Sequence, residues 1–405
     1  MNSRAAKVIP AALAVLLFMV LVVQIASTAA KRPLLTPTLS APVVSQTPIP
    51  ASPTPVLDGG ITVSWTKILT GFALGVDWSP DGASVVLDDL ERQQIDLINW
   101  QTGALIWQTP FPLSAMYGQA IPTAFSARWS RDGHWIAATA AGKLYLIEPA
   151  TGKIIPFQPA LPPGRGQPVY VLARWGTDSV FLAVLDNYGY IDVLATTTGK
   201  ITQTITLTDS SYADISAFDW NPDGQRFAAA YLKAPLNTDS VGFWDRQGNL
   251  LKAYTQESLT DSAPATPCTQ NASDLTAGGF SDFEWARDNQ TLAVGLTNGL
   301  TICTLNNDGT ITDQDLPLRG ATFHWSPDQR WLAGASSKQS AIWIADPAQA
   351  YQTVLVQPPG DSTVNSVAWS PDSQQLAVGT THQLWIGTFH EPEAAATPAA
   401  TSAGS

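Results

Sequence analysis

The chain has few charges, and in particular few basic residues, for its length. Among its 405 residues, Lys and Arg number 21 and Asp and Glu number 33, so the charged fraction is 13%, against about 25% in ordinary soluble proteins. The formal net charge is −12. A surface that binds a nucleic-acid duplex needs clustered Lys and Arg to neutralise several phosphates, and the sequence has no such cluster. We therefore expect no nucleic-acid partner.

The sequence also lacks the common motifs of metal, phosphate and nucleophile chemistry. Its four histidines do not lie at metal-ligand spacing, its two cysteines form no C-x-x-C pair, and neither a phosphate-binding glycine loop nor a nucleophile elbow occurs. The adjacent carboxylates of Asp88 and Asp89 would point to opposite faces of a strand. These observations predict a protein that is not an enzyme and that carries no cofactor and no metal.

Residues 1–32 have the pattern of a membrane-targeting segment. Arg4 and Lys7 precede an apolar, charge-free run over Val8–Ala30. A run of about 20 apolar residues crosses the hydrocarbon layer as a helix, whereas the apolar core of a secretory signal is usually about 7–15 residues long. The length favours one uncleaved transmembrane helix, with the rest of the chain on the extracytoplasmic side of a cell membrane. The small residues at 27–29 leave cleavage and secretion open as the alternative.

Two further segments lack the pattern of a folded core. Residues 33–60 contain seven prolines among Thr, Ser and Ala, a composition typical of an extended spacer. Residues 391–405 have the composition of a disordered tail. The hydrophobic fraction of the whole chain is nevertheless 45%, which is high enough for a large core. This core is expected between the two segments.

The remaining part of the chain, residues 61–390, contains seven copies of one phrase. Each copy has a short apolar run that ends in Trp, a polar turn such as Ser79–Gly82, and a second small apolar run. The successive tryptophans lie 40 to 65 residues apart: Trp78, Trp129, Trp175, Trp220, Trp285, Trp325 and Trp369. Further apolar runs bring each copy to about four strands. The pattern predicts an all-β fold, a seven-bladed β-propeller of four-stranded blades, with the repeated tryptophans packed between neighbouring blades.

The last copy offers only three strands before the chain enters its tail. Residues Ile61–Trp65 form a strand-like run ahead of the first copy, without a partner in that copy. If this run is the missing fourth strand, hydrogen bonds between the two ends of the domain close the last blade and leave no open sheet edge there.

One interval between repeats is longer because residues 252–279 are inserted. They are polar, lack a strand pattern and are predicted to form a long loop, of the kind that carries binding sites on a rigid scaffold. The insertion holds Cys268, and the other cysteine, Cys303, falls in the third strand of the next blade. Two cysteines in an exported chain predict a disulfide. Two separate buried thiols are the alternative.

A polar residue precedes the repeated tryptophan in six of the seven copies: Asp77, Arg128, Arg174, Asp219, Glu284 and His324. Alternation along a strand places these side chains on the face opposite to the tryptophan, towards the neighbouring blade near the channel. Charges in such places are rarely unpaired. Two neighbouring pairs carry opposite charges, Asp77 with Arg128 and Arg174 with Asp219. We expect a ring of ion pairs between blades. The alternative is a polar channel mouth that holds a small anionic or metal ligand.

The repeated phrase resembles that of WD-repeat proteins and is also similar to the TolB-like repeats of bacterial envelope proteins. Both have a phrase close to W-S-P-D-G-x-x-L-A, which residues 78–82, 220–224 and 369–372 match, and Phe243–Asp245 supplies one Trp-Asp ending. The resemblance implies a rigid platform, so we expect a scaffold or receptor for a protein partner. Two alternatives stay open: an enzyme acting on polysaccharide or peptide at the channel mouth, and a TolB-like envelope accessory protein.

Overall fold

The computed structural model of the protein describes most of the chain beyond residue 61. The described residues are 62–71, 73–89, 92–110, 126–140, 142–157, 168–176, 179, 181–186, 189–198, 200–206, 212–233, 238–255, 280–296, 299–306, 310–318, 322–335, 340–360 and 362–390. The predicted membrane segment (1–32), spacer (33–60) and tail (391–405) lie outside them, as do residues 256–279 with Cys268. In the part of the chain that the structure describes, no helix has the length and hydropathy needed to cross a membrane.

Seven four-stranded antiparallel sheets make up the described chain, and they are the blades of an all-β propeller fold. These blades belong to two compact units. The large unit comprises the described parts of residues 50–206 and 321–405 and holds blades one, two, three, six and seven. The small unit comprises the described parts of residues 207–320 and holds blades four and five.

The first half of the large unit contains strand β1 and three complete blades. Strand β1 is Thr62–Thr70. Blade one consists of β2 (Ala73–Trp78), β3 (Ser84–Asp89), β4 (Gln94–Asn99) and β5 (Ala104–Pro110). Blade two consists of β6 (Ser126–Trp129), β7 (Ile136–Ala140), β8 (Lys143–Ile147) and β9 (Ile154–Phe157). Blade three consists of β10 (Tyr170–Trp175), β11 (Phe181–Asp186), β12 (Tyr190–Ala195) and β13 (Lys200–Thr206).

The small unit and the second half of the large unit follow the same plan. Blade four consists of β14 (Tyr212–Trp220), β15 (Arg226–Lys233), β16 (Thr238–Asp245) and β17 (Leu250–Thr255). Blade five consists of β18 (Phe280–Trp285), β19 (Thr291–Leu296), β20 (Gly299–Leu305) and β21 (Ile311–Leu316). Blade six consists of β22 (Phe323–Trp325), β23 (Leu332–Ala335), β24 (Ile342–Asp346) and β25 (Gln352–Val356), with a short 3-10 helix at Pro347–Gln349. Blade seven contains β26 (Val364–Trp369), β27 (Gln375–Thr380) and β28 (Gln383–His390).

A polar turn with internal hydrogen bonds joins the first two strands of the blades. In blade one, Ser84 N–H donates to Ser79 Oγ at 2.9 Å, and the Ser79 hydroxyl donates to Asp81 Oδ1. The same Ser-to-Asp bond recurs in blades two, six and seven, from Ser130, Ser326 and Ser370. Gly82 has a φ of 70°, a left-handed conformation that glycine adopts without steric cost. The repeated W-S-P-D-G phrase is therefore a turn signal, as its residue types predict.

The first strand of the chain closes the last blade. β1 pairs antiparallel with β28 along eight residue pairs. Val63 and Trp65 are buried in the core of this blade. A Cβ at position 387 would lie 2.9 Å from the Trp65 ring, so the ring requires glycine at Gly387 opposite it. The closure that the sequence predicts is confirmed, and β1 is longer than predicted because its pairing continues to Thr70.

Apolar clusters fill the space between neighbouring blades within each unit. In the large unit, separate clusters join blades six and seven, seven and one, one and two, and two and three. In the small unit, one cluster joins blades four and five. Each cluster includes or contacts one repeated tryptophan, respectively Trp369, Trp78, Trp129, Trp175 and Trp285. This placement confirms the predicted packing role of these residues.

Strand β17 extends farther than the sequence indicates. Residues 252–255, which the repeat pattern assigns to the insertion 252–279, continue β17 and pair with β16. The exposed outermost strand of a sheet needs backbone pairing but no apolar face. These four residues, K-A-Y-T, mix polar and apolar types and run directly into the polar residues of the insertion, so the repeat pattern does not mark where the strand ends.

We expect Trp65→Ala to lower the free energy of unfolding by about 3–5 kcal/mol, the usual cost of truncating a buried Trp, because it removes the side chain that seats β1. Thr66→Ala, at an exposed neighbour on the same strand, is the matched control and should change the free energy by less than about 0.5 kcal/mol. Denaturant unfolding of both variants measures the difference. Equal stability of Trp65→Ala and wild type would contradict closure through β1.

Candidate functional site

The six polar residues predicted from the repeats all occupy the same place, one residue before the tryptophan that ends the first strand of a blade. Each is partly buried. The large unit holds Asp77 in β2, Arg128 in β6, Arg174 in β10 and His324 in β22, and the small unit holds Asp219 in β14 and Glu284 in β18.

The backbone carbonyl at this place accepts a hydrogen bond from the indole N–H of the tryptophan in the next blade. Within the described parts of the two units, four such bonds of 2.9 to 3.3 Å occur: Trp78 to Ala368 O, Trp175 to Arg128 O, Trp369 to His324 O and Trp285 to Asp219 O. We call this contact the seam bond. Because the acceptor is a main-chain atom, Ala368 provides it as well as a charged residue does.

The carboxylates of Asp77 and Asp219 add a second bond to the next blade. Asp77 Oδ2 accepts the backbone N–H of Trp129 at 2.8 Å, and Asp219 Oδ2 accepts that of Trp285 at 3.1 Å. Each of these N–H groups lies on the first strand of its sheet and points away from the second strand. No neighbouring strand of the same sheet is present on that side to accept the hydrogen bond. The two aspartates therefore satisfy backbone donors that would otherwise lack a partner.

In the large unit, the structure brings together Asp77, Arg128 and His324. Burial raises the pKa of Asp77, and the charges of Arg128 and His324 oppose that rise, as do the backbone N–H bonds that the carboxylate accepts. The Arg128 guanidinium itself donates to Val76 O at 2.9 Å. Electrostatic attraction and backbone hydrogen bonds thus act together at this seam.

Arg174, another member of the predicted ring, contacts its own strand through its guanidinium. Arg174 Nη1 donates to Ala173 O at 3.4 Å. The ion pair of Arg174 with Asp219 stays a prediction because the two residues belong to different units. The full ring of ion pairs, and the alternative of an anion or metal site, also stay predictions.

Sequence reasoning missed the role of Asp88, a carboxyl group that is fully buried at the seam between blades one and two. Its Oδ2 accepts the N–H of Ala127 at 3.3 Å, and its Oδ1 has no hydrogen-bond partner. Burial raises the pKa of Asp88 to about 7, and the charge of Asp77 contributes to the rise. In the sequence, the feature that could have indicated this role is that Asp88 directly follows the apolar run V-V-L in the strand S-V-V-L-D-D.

Asp89 points away from Asp88, as alternation along a strand predicts. Its Oδ2 lies 3.1 Å from Arg92 Nη1 in a salt bridge, and its Oδ1 accepts the Arg92 N–H at 2.8 Å. Burial raises the pKa of Asp96 to about 6, and the negative charge of Asp89 adds to this shift. The two adjacent carboxylates therefore face different surroundings and do not converge on one substrate position.

The polar turns after the repeated tryptophans also meet across the seams. Three bonds of 2.9 to 3.1 Å run from an aspartate N–H to a side chain of the next turn: Asp132 to Ser179, Asp328 to Ser373 and Asp223 to Asn289. In blades one, two and four, glycine occupies the accepting place, as Gly82, Gly133 and Gly224. Gly82 therefore offers no side chain to the N–H of Asp372 in blade seven. A groove of about 400 Å³ lies at this seam, and Asp81, Trp100 and Asp372 are among its lining residues.

Among the described residues, no three His, Cys, Asp or Glu side chains are grouped so that they could hold a metal ion. His134 Nδ1 lies 3.2 Å from an oxygen of its neighbour Asp132, which belongs to the same turn. Cys303 is buried and disulfide-bonded. Its predicted partner, Cys268, lies outside the described residues, so the pairing of the two stays a prediction.

The repeats, the four-stranded blades and the seam bonds point to one group of folds. Residues 352–384 match the family model for WD40, described as "WD domain, G-beta repeat". The chain is a WD-repeat-like β-propeller. The matched segment begins at β25 of blade six, crosses the phrase that ends in Trp369 and reaches the first residues of β28.

Two solved structures are similar to this WD-repeat-like propeller. One is the β-propeller domain of Cps50 (Swd1) from Myceliophteria thermophila, at 12% identity and a TM-score of 0.58, over 83% of this chain and 99% of that chain. The other is hydrazine synthase from Kuenenia stuttgartiensis, at 14% identity and a TM-score of 0.56, over 77% of this chain and 93% of that chain. At these identities the likeness shows the fold alone. No curated protein matches the sequence.

Asp88 makes the stability of the propeller depend on pH. Its pKa is about 7 in the folded chain and about 3.9 in an unfolded chain. Between these values the folded state holds a proton that the unfolded state has released. The contribution of Asp88 to stability is therefore complete below about pH 4 and is lost as the pH rises through about 7.

We expect Asp88→Asn to raise the free energy of unfolding at pH 8 by more than about 1 kcal/mol, with a smaller gain at pH 5, since one pKa unit corresponds to about 1.4 kcal/mol. The amide keeps an oxygen for the Ala127 N–H. Asp89→Asn is the control and should destabilise the fold at both pH values, because it weakens the contact with Arg92. Denaturant unfolding at the two pH values measures both variants. An equal gain at pH 5 and pH 8, or none, would contradict this role of Asp88.

Proposed function

We propose that the chain is a binding platform for a partner protein, held on the extracytoplasmic side of a membrane by its N-terminal helix. WD40 propellers generally bind protein partners. Binding is proposed in preference to catalysis because the carboxylates of Asp77 and Asp88, whose pKa values are raised, accept backbone N–H groups at a seam between blades.

The observation that carries this proposal is the outer strand of blade one. Strand β5 reads A-L-I-W-Q-T-P and has no charged residue. Leu105 and Ile106 are each 48% exposed. β5 is the last strand of its sheet and pairs only with β4 among the described strands. Charged residues commonly protect such edges from other chains, so their absence here favours an edge that receives a strand of a partner.

Contacts with blade two hold β5 in place. Trp107 Nε1 donates to Pro149 O at 2.6 Å, and Thr109 Oγ1 donates to Gly152 O at 2.7 Å. The Trp107 ring lies directly against Gly152, where a Cβ would come within 2.9 Å of two ring atoms. A strand that is already ordered loses less entropy when a partner binds.

Two features support the extracytoplasmic location. The apolar run over Val8–Ala30 has the length of a membrane span. Cys303 is disulfide-bonded, and structural disulfides persist mainly outside the reducing cytoplasm. The spacer over 33–60 would then separate the propeller from the membrane by on the order of 80 Å at most, at about 3.1 Å per residue in the polyproline form.

The test uses the tagged full-length chain in membranes of its native host. The chain should stay in the membrane pellet after alkaline carbonate washing and should co-purify a partner protein. Ile106→Asp should lower the recovery of that partner at least about fivefold, because a charge on the edge opposes strand addition. Leu251→Asp is the matched control, since it places the same charge on a leucine that is 52% exposed on β17, where Lys252 is already present.

Three outcomes would contradict the proposal. Release of the chain by carbonate, with an N-terminus near Ala30, would show a cleaved signal in place of an anchor. Equal recovery of the partner by wild type and Ile106→Asp would exclude β5 as the binding edge. The same loss with Leu251→Asp would show that any added charge on an outer strand has this effect.

A further inference from the structure

In the groove between the turns of blades seven and one, glycine stands where three other turns have a side chain that accepts a hydrogen bond. At three other seams, Ser179, Asn289 or Ser373 accepts the N–H of the preceding turn's aspartate. Gly82 occupies the equivalent place in blade one and leaves the space beside Asp372 open. The groove has a volume of about 400 Å³ and is partly open to solvent.

Two carboxylates line this groove in fixed orientations. Asp81 Oδ1 accepts the Ser79 hydroxyl and the Ala83 N–H, and Asp372 Oδ1 accepts the equivalent pair from Ser370 and Gln374. In the described chain, the second oxygen of each carboxylate, Oδ2, has no hydrogen bond. The bonds from Ser79 and Ala83 lower the pKa of Asp81, which keeps this group ionised at neutral pH.

An aromatic ring and two glutamines complete the lining. Trp100 Nε1 donates to Gly82 O at 2.8 Å, and the Trp100 ring packs edge-on against Trp78 at a centroid distance of 5.6 Å. The ring is thus held in place while it lines the groove. Gln101 and Gln375 are also lining residues, and no Lys or Arg is among them.

We propose that this groove, here called the seven–one groove, binds an arginine side chain of the partner protein. The proposal rests on the proposed function for its protein partner. A guanidinium is planar, donates several hydrogen bonds to carboxylates and amide oxygens, and stacks on aromatic rings. A lysine ammonium carries the same single positive charge but lacks the planar group that stacks on the ring and donates to several oxygens at once. The net charge of −12 favours a basic partner.

The position of the groove agrees with a partner strand on β5. Trp100 and Gln101 belong to the turn that leads directly into β5 at Ala104. A partner segment that pairs with β5 would therefore reach the groove with a residue near one of its ends. This geometry predicts a basic residue next to an uncharged extended segment in the partner.

The probe is tetra-arginine, titrated calorimetrically into the full-length chain in detergent. Tetra-lysine is the control of equal side-chain charge, and tetra-citrulline is the control with uncharged side chains. Tetra-arginine should bind at least about fivefold more tightly than tetra-lysine, and tetra-citrulline should not bind. Asp81→Asn with Asp372→Asn should weaken tetra-arginine binding at least about tenfold, because two charge-assisted contacts are lost. Asparagine retains the oxygen that holds each turn.

Two further variants separate the groove from general electrostatics. Asp132→Asn with Asp328→Asn removes two charges from the equivalent turns of blades two and six, and binding should stay within about twofold of wild type, since exposed charges away from the site act weakly. Gly82→Asn changes no charge but places in the groove the side chain that Asn289 has at the same turn, with a φ of 61°. A Cβ at Gly82 meets only Pro371 at 3.7 Å. This variant should also abolish binding.

Equal binding of tetra-arginine and tetra-lysine, equal losses from the two aspartate pairs, or unchanged binding by Gly82→Asn would each overturn the inference. So would the failure of tetra-arginine to bind. The titration requires no partner protein, so such a failure leaves the capture experiment on Ile106→Asp unaffected. Conversely, a failed capture with intact tetra-arginine binding would contradict the proposed function while the arginine site remains.

Discussion

The hydrogen bond from a tryptophan indole to the backbone of the preceding blade is the contact on which the rest of the molecule depends. A blade of four strands buries little by itself and must pack against its neighbours. The repeated tryptophan fills the space between two sheets with its ring and, at four seams within the described parts of the two units, also joins their first strands through its N–H. The same residue therefore provides both apolar packing and a directional bond that sets how neighbouring blades meet. Where Asp77 or Asp219 adds its carboxylate, the edge of the next strand is satisfied as well.

Local features of the fold could be predicted from the sequence, whereas the seam bond could not. The spacing of the tryptophans and the W-S-P-D-G turns predicted seven four-stranded blades, because turn chemistry and strand length are local properties. The run at Ile61–Trp65 predicted the closure of blade seven, because it was a strand without a partner. The residue before each tryptophan was interpreted through its side chain, whereas at four seams of the described chain its carbonyl is the atom that the indole of the next blade contacts. A main-chain acceptor leaves no trace in residue type, as Ala368 shows.

Other features depend on contacts between distant parts of the chain, and local sequence patterns could not predict them. The pKa of Asp88 is raised because blade two covers its carboxyl group. Nothing near position 88 in the sequence indicates that Ala127 lies against this group. The seven–one groove brings Asp372 of blade seven beside Gly82 and Trp100 of blade one, which lie near the other end of the domain sequence. Gly82 appears in the sequence as an ordinary turn glycine. Only the structure shows that Ser or Asn accepts the N–H of the preceding turn's aspartate at three equivalent seams, whereas Gly82 has no side chain to do so.

The seams and the surface sites have complementary roles. The buried carboxylates and indoles hold blades together, and the outer strand β5 and the seven–one groove present apolar and acidic surface on that rigid base. Both surface features lie in blade one or beside it. This arrangement concentrates the expected binding surface where β5 is held by Trp107 and where the turn at Trp100 is held by Gly82.

Replacing single tryptophans with benzothienylalanine, an isostere in which sulfur takes the place of the indole N–H, tests the seam bond most directly. At Trp175, whose indole donates to Arg128 O at 2.9 Å, the replacement should lower the free energy of unfolding by about 0.5–1.5 kcal/mol. At Trp129, whose indole nitrogen is buried without a hydrogen-bond partner, it should leave stability unchanged or raise it, because an unsatisfied donor is removed. Denaturant unfolding of the two proteins beside wild type measures the difference. Equal effects at the two positions would contradict the account.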